Sequence, residues 1–332
     1  MRRLLLTTLL AATWFLVGAG VAAADPPGPT NYLSEVTEID PATPGIDVEI
    51  IGGDSFVSLT VAPGVTVNVV GYAGEPYLRF LSDGTVEENQ WSPSKYLNKD
   101  RYADSDLPEG ADADATPEWI VVADDGSFAW HDHRTHWMND MAPPGRGPGD
   151  TVAEGVIPLL VDGIEVDVTV VSVWQEQPSS APIMLGLTLG LFLAYAAIRR
   201  RGKVVIGVVL VLAIAATIIG FFAFASVPGE TSPPWSLWLF PLTAGILAPV
   251  VLAERPRGRE HMLLLIAALD LVAWSVLHWG WLWAAVLPTS LPFWLDRFVA
   301  ATVLVGSIGA AAAVVLAVAA PGRNVSFRPV KL

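Results

Sequence analysis

Cysteine is absent from all 332 residues. Disulfide staples are therefore excluded, and any exported portion must be held by its own hydrophobic core. The same absence removes thiolate from every metal site and leaves His, Met, Asp and Glu as ligands. Histidine and methionine are themselves scarce, with five of each. Basic residues are scarce in one half only: between Asp25 and Ala181 there are 28 acidic and 6 basic side chains, a net charge of −22. A half this acidic excludes nucleic acid as a partner, because phosphate contacts need Lys and Arg. From Pro182 onward 5 acidic residues stand against 11 basic ones, a net of +6 in a strongly apolar segment. An acidic polar half followed by a basic apolar half reads as a soluble domain joined to a membrane domain.

Residues 1–24 read as an export signal. Arg2 and Arg3 form its positive end, Leu4 to Val21 its apolar core, and Ala22-Ala23-Ala24 a cleavage site before Asp25. Cleaved or kept as a first helix, this segment sends the acidic half, residues 25–178, out of the cytoplasm.

Within that half, Ile46, Val48 and Ile50 alternate with Asp47 and Glu49, and Val57, Leu59 and Val61 with Ser58 and Thr60. Ile164, Val166, Val168 and Val170 alternate with Glu165, Asp167 and Thr169. Period two with one apolar face predicts strands, and no stretch from 46 to 175 has helical periodicity. Asp83-Gly84, Asp125-Gly126 and Asp162-Gly163 read as hairpin turns. The expected fold is an antiparallel β-sandwich of seven to nine strands, immunoglobulin-like. The segment from Tyr102 to Pro117 has little to bury and reads as a solvated acidic loop, since its spacing lacks a calcium-loop pattern.

The second half, 182–320, contains five apolar runs near the about 20 residues that span a bilayer. They lie at about 182–198, 204–226, 235–253, 262–285 and 298–320. Arg199-Arg200-Arg201-Gly202-Lys203 follows the first, Arg255, Arg257 and Arg259 the third, and the tail 321–332 carries Arg323, Arg328 and Lys331. Positive residues stay inside, which predicts a multi-pass plasma-membrane protein with its N-terminal domain outside and its C-terminus in the cytoplasm. Trp235, Trp238, Trp279, Trp281, Trp283 and Trp294 fall at outer helix ends, as in an interfacial aromatic belt. Asp270 and His278 interrupt the fourth run, and an ionisable group at membrane depth is a functional candidate, for ion binding, a proton relay or helix packing.

The densest chemistry lies at Trp130-His131-Asp132-His133-Arg134-Thr135-His136-Trp137-Met138, with Met141 just beyond. On a strand His131 and His133 share one face, and the Asp125-Gly126 turn places them on the second arm of a hairpin. A turn after Arg134 would bring His136 and Met138 to the same side. Imidazoles with a thioether suit copper in an oxidising compartment, and imidazoles alone suit Zn²⁺ or Cu²⁺. Asp132 reads as an outer-shell acceptor or as half of a surface ion pair with Arg134, and Trp130 and Trp137 as shields from water. The competing reading is a structural knot in which the histidines lock the fold.

The runs Glu75-Pro76-Tyr77-Leu78-Arg79-Phe80, Ser92-Pro93-Ser94-Lys95-Tyr96-Leu97-Asn98 and His131-Asp132-His133-Arg134-Thr135-His136-Trp137-Met138 resemble a family of actinobacterial-type membrane proteins without an established activity. That resemblance spans both halves and implies topology rather than chemistry. In architecture the chain is also loosely similar to bacterial copper-resistance proteins of the C and D types, which combine an exported β-sandwich with membrane helices. It departs from the C type in having no histidine near Asp25, and from the D type in having fewer helices and fewer histidines.

Together these readings predict a membrane-anchored metal-handling protein with copper first and zinc as alternative. Its metal ligands are His131, His133, His136 and Met138, with Asp132 and Met141 accessory. The expected partners are the bilayer and another envelope or metal-handling protein. The runner-up is a non-enzymatic envelope interaction protein, the third reading a zinc hydrolase; no residue is assigned a catalytic role.

Overall fold

The computed structural model describes residues 27–253 and 260–319. The export signal, Arg255, Arg257, Arg259 and the tail 321–332 lie outside the described residues. The N-terminal half folds as β1 (Tyr32–Asp40), β2 (Ile46–Ile51), β3 (Phe56–Val61), β4 (Val67–Val70), β5 (Pro76–Phe80), β6 (Val86–Asn89), α1 (Pro93–Leu97), β7 (Trp119–Ala123), β8 (Ser127–His131), β9 (Thr151–Val161) and β10 (Ile164–Trp174). Seven strands form one sheet in the order β1-β10-β9-β4-β5-β6-β7, and β2-β3-β8 form a second. Every pairing is antiparallel. The inward residues of the alternating runs, Val57, Leu59 and Val61 with Val166, Val168 and Val170, close one core together with Leu78 and Phe80. Each such side chain contributes about 1.5–3 kcal/mol on burial.

Three details differ from the sequence reading. There are ten strands rather than seven to nine, because β1 begins at Tyr32 and pairs with β10 along most of its length. A single helical turn, α1, interrupts the strands, with Pro93 at its start and no periodicity to betray it. The third concerns the Asp-Gly pairs. Asp162-Gly163 does close a two-residue hairpin, with Val161 opposite Ile164 and both turn residues at positive φ (+48° and +82°). Asp125-Gly126 does not: β7 belongs to the large sheet, while β8 pairs with β3 in the small one. The Gly126 N–H donates to the Gly84 carbonyl and its own carbonyl accepts from Val61. The turn therefore carries the chain across the sandwich, and the histidine segment is not the arm of a hairpin.

The second half contains α2 (Ala181–Arg200), α3 (Lys203–Ala225), α4 (Ser236–Ala253), α5 (Glu260–Leu277) and α6 (Phe293–Ala319). Four of them are long and apolar enough to cross a membrane; the exception is α4, interrupted by Pro241 and Pro249. The fourth run ends earlier than hydropathy suggests. After Leu277 the chain makes a 3-10 turn at Trp279–Leu282 and then runs extended to pair Val286 with Thr30. The last helix starts earlier, at Phe293 just after Pro292, which draws Asp296 and Arg297 inside it.

The two halves meet through backbone. Thr30 and Val286 exchange N–H···O bonds of 3.0 and 2.9 Å, and the Ala285 N–H donates to Asn31 Oδ1 at 3.0 Å. Gly53, at φ +90°, lets Thr30 and Val286 close against it, since a Cβ there would stand 2.8 Å from Thr30 Cγ2 and 3.0 Å from Val286 Cγ1.

Where two helices pack without a hydrophobic drive between them, close backbone approach stabilises the contact. A Cβ at Gly309 of α6 would overlap Ala194 of α2, and one at Gly190 would stand 2.9 Å from the Thr302 carbonyl oxygen. Gly309→Val is expected to destabilise the detergent-solubilised chain by roughly 1–3 kcal/mol. Gly207, which meets nothing within 4 Å, is the control: Gly207→Val should leave the thermal midpoint nearly unchanged. Equal midpoints for the two variants would refute the α2–α6 contact.

Candidate metal centre

β8 delivers the first histidine. His131 stands opposite Phe56 on β3, and the two rings meet edge to face with centroids 5.5 Å apart. Trp130, the preceding residue, points into the sandwich core, so it anchors the strand rather than shielding the histidines. The strand ends at His131, and a 3-10 turn spans His133–Thr135. That turn, earlier than expected, gathers all three imidazoles. Ring centroids lie 5.2 Å apart for His131–His133, 4.9 Å for His131–His136 and 5.8 Å for His133–His136. One ring nitrogen from each lies within 4.8 Å of the others.

Asp132 builds the turn. It accepts from the Arg134 N–H at 3.0 Å, from Arg134 Nε and Nη2 at 2.8 and 2.7 Å, and from Trp130 Nε1 at 2.9 Å. Its carboxylate is wholly buried, so the expected surface ion pair is a buried one, and its oxygens are taken by Arg134 and Trp130. Burial alone would raise its pKa, but the Arg134 guanidinium and these hydrogen bonds outweigh it and hold the carboxyl below its usual range. Thr135 locks the far side: its hydroxyl donates to the carbonyls of Asp132 and Asp54, and its own carbonyl accepts from Ser34 Oγ at 2.6 Å. Tyr72 stacks parallel to His133 and accepts that residue's backbone N–H at 2.8 Å.

The outer ring nitrogens are held in turn. His133 Nε2 bonds the Asp100 carbonyl at 2.8 Å, and His136 Nδ1 bonds the Trp137 carbonyl at 3.1 Å. An N–H donated to a carbonyl fixes the tautomer and leaves the other nitrogen with its lone pair free for a metal. His131 Nε2 and His136 Nε2 face each other at 3.0 Å. That is close to the about 3.3 Å expected of two nitrogens around a tetrahedral ion with bonds of about 2.0–2.1 Å. Nδ1 of His131 is buried without a well-formed hydrogen bond, although the Arg101 backbone lies near enough to favour protonation slightly.

Burial pushes all three pKa values down. His131 is held well below the ordinary imidazole range by burial and then by its histidine neighbours, His136 falls to about 4 through burial and Arg101, and His133 is lowered by burial. Neutral imidazoles are the state that ligates metal. Among the described residues no Asp or Glu joins the three histidines in this group. Met138 and Met141 are solvent-exposed, at 37% and 68%.

The membrane candidates fall apart from this site and from one another. Asp270 Oδ2 accepts from Thr243 of α4 at 3.0 Å, an interhelical bond of the kind that sets packing. His278 lies fully buried between the rings of Trp274 and Trp281, so Trp281 is no belt residue. Its Nε2 stands 3.9 Å from Asp296 Oδ2, too far for a hydrogen bond. Arg297 Nη2 donates to the carbonyls of Ala284 and Ala285. Sequence reasoning missed Asp296 and Arg297 by leaving them in a loop. It also missed Asp54, Asp100 and Arg101, which lie 30 residues or more from the histidines. One signal was available: of six basic residues in the acidic half, Arg79, Lys95, Arg101 and Arg134 each pair with a carboxylate. Compared with protein-family models, curated proteins and solved structures, the chain matches none.

Two outcomes follow. Asp132→Ala leaves Arg134 buried without its partner and should cost roughly 3–5 kcal/mol in chemical denaturation; a loss under about 1 kcal/mol would mean a surface pair after all. A histidine whose pKa is depressed in the folded state stabilises the fold fully above its unfolded pKa and loses that contribution as pH falls. For His136 the window runs from 6.5 down to about 4, worth roughly 3 kcal/mol. The metal-free chain should therefore lose stability across that window, and His136→Gln should flatten the slope. An unchanged slope would place the titration elsewhere.

Proposed function

We propose that this chain is a membrane-anchored protein whose β-sandwich lies outside the cytoplasm and binds a transition-metal ion through His131, His133 and His136 for metal handling or delivery. One observation carries the reading: three neutral imidazoles converge with two of their outward nitrogens already tied to backbone carbonyls, as preformed metal sites require. Copper comes first and zinc second, because affinity at a nitrogen site peaks at Cu²⁺ in the divalent series. Met138 is then a peripheral residue, and Cu²⁺ rather than Cu⁺ is the species favoured by an all-nitrogen set. The four apolar helices and the distribution of arginines support the anchoring and its orientation.

A second reading has its own support. The 3.0 Å contact between His131 Nε2 and His136 Nε2 is also hydrogen-bond geometry, and it could serve only to lock the turn in an envelope interaction protein. Titration of the detergent-solubilised chain with Cu²⁺ and Zn²⁺ separates the two. One ion per chain with submicromolar affinity is expected, falling at least about a hundredfold in the His131→Ala/His133→Ala/His136→Ala variant. A folded triple variant with unchanged affinity would refute the metal reading; a triple variant that unfolds, together with a wild-type chain that binds no ion, would favour the lock.

A further inference from the structure

His131, alone of the three histidines, lines a cavity of about 530 Å³ together with Asn31, Tyr32, Ser55, Arg101 and Asn139, among other residues. That volume lies in the range of small-molecule sites and far exceeds a single water, whose share of liquid volume is about 30 Å³.

Charge defines what belongs in it. Three neutral imidazoles bring no negative charge to a divalent ion. The nearby buried carboxylates are already neutralised, Asp54 by Arg101 at 2.6 Å and Asp132 by Arg134 at 2.7 Å. Among the described residues no carboxylate joins the histidine group, and Asp140, on the cavity rim, is exposed. A dipositive ion withdrawn from water needs compensation, and three protein ligands leave a coordination position open. Apart from the exposed Asp140 carboxylate, the cavity lining offers amide donors at Asn31 and Asn139. The amide oxygen of Asn31 is taken by the Ala285 N–H and that of Asn139 by the Met141 N–H, which leaves their NH₂ groups as the donors available to a ligand.

Resting on the metal reading above, we infer that the open position is filled from this cavity by a small organic carboxylate. One carboxylate oxygen coordinates the ion, and the other accepts from the Asn31 and Asn139 amides. The segment that lines the cavity at Thr30 and Asn31 is the one that bonds Val286 and Ala285, so a bound carboxylate sits at the joint of the two halves.

The test uses the detergent-solubilised full chain loaded with one equivalent of Cu²⁺, followed by visible absorption and electron paramagnetic resonance during titration with acetate and, as the neutral isostere, acetamide. Acetate should shift the ligand-field band and the copper hyperfine pattern saturably at millimolar concentration, and acetamide should not. Asn139→Trp, which fills the cavity, should weaken the acetate response at least about tenfold with Cu²⁺ affinity unchanged. If tryptophan perturbs the fold, Asn139→Leu removes the amide donor at similar size and should weaken it in the same direction. Tight Cu²⁺ binding with no acetate response up to about 100 mM, or a response indifferent to both variants, overturns the carboxylate site while leaving the metal reading intact. Failure to bind Cu²⁺ at all overturns both.

Discussion

The Asp132 carboxylate is withdrawn from water and must be satisfied entirely inside the protein. An unsatisfied charge in that position would cost several kcal/mol, so the surrounding chain is arranged to meet it. The Trp130 indole and three nitrogens of Arg134 do so, and in turning back to reach Asp132 the chain has to leave β8 after His131 and coil through His133–Thr135. The convergence of the histidines is a consequence of that turn. Arg134 also reaches the Val70 carbonyl and lies over the Tyr72 ring, which ties the turn to the large sheet. Gly155 on β9 admits the Arg134 backbone where a side chain would overlap it. The two sheets of the sandwich are thus pinned together at the point where the imidazoles meet.

A second buried carboxylate, Asp54, ties the same turn to the rest of the molecule. Its side chain holds Arg101 and accepts from Thr30, while its carbonyl accepts from Thr135. Thr30 in turn forms the bridge to Val286, and Arg297 of α6 holds the carbonyls of Ala284 and Ala285 just before it. The histidine turn, the domain joint and the N-terminal end of α6 therefore share one hydrogen-bonded framework.

Much of the architecture is legible in the residues because local patterns encode it. Alternation marks β2, β3 and β10, Asp162-Gly163 marks a hairpin whose two positive φ angles need those residue types, and five apolar runs mark five helices. What is not legible depends on partners distant in sequence. Asp125-Gly126 has the same turn chemistry as Asp162-Gly163, yet which strand β8 joins is decided by core packing against β3. Asp132 and Arg134 read as exposed by strand parity, because nothing local announces that the strand stops at His131. Asp100, within an otherwise solvated acidic stretch, contributes only its carbonyl to His133, a role for which side-chain identity carries no signal. Hydropathy places the ends of α5 and α6 wrongly for a related reason: Trp and Leu around Gly280 are as apolar as a helix but form a docking segment for the β-sandwich.

We propose that three imidazoles, held neutral by burial and two of them oriented by backbone carbonyls, ligate one ion without sulfur. X-ray absorption at the copper and zinc edges of the loaded, detergent-solubilised chain tests this most directly. It should return three imidazole nitrogens at about 2.0–2.1 Å with a lighter oxygen or nitrogen scatterer in the remaining position. A sulfur shell, or fewer than two imidazoles, would contradict it.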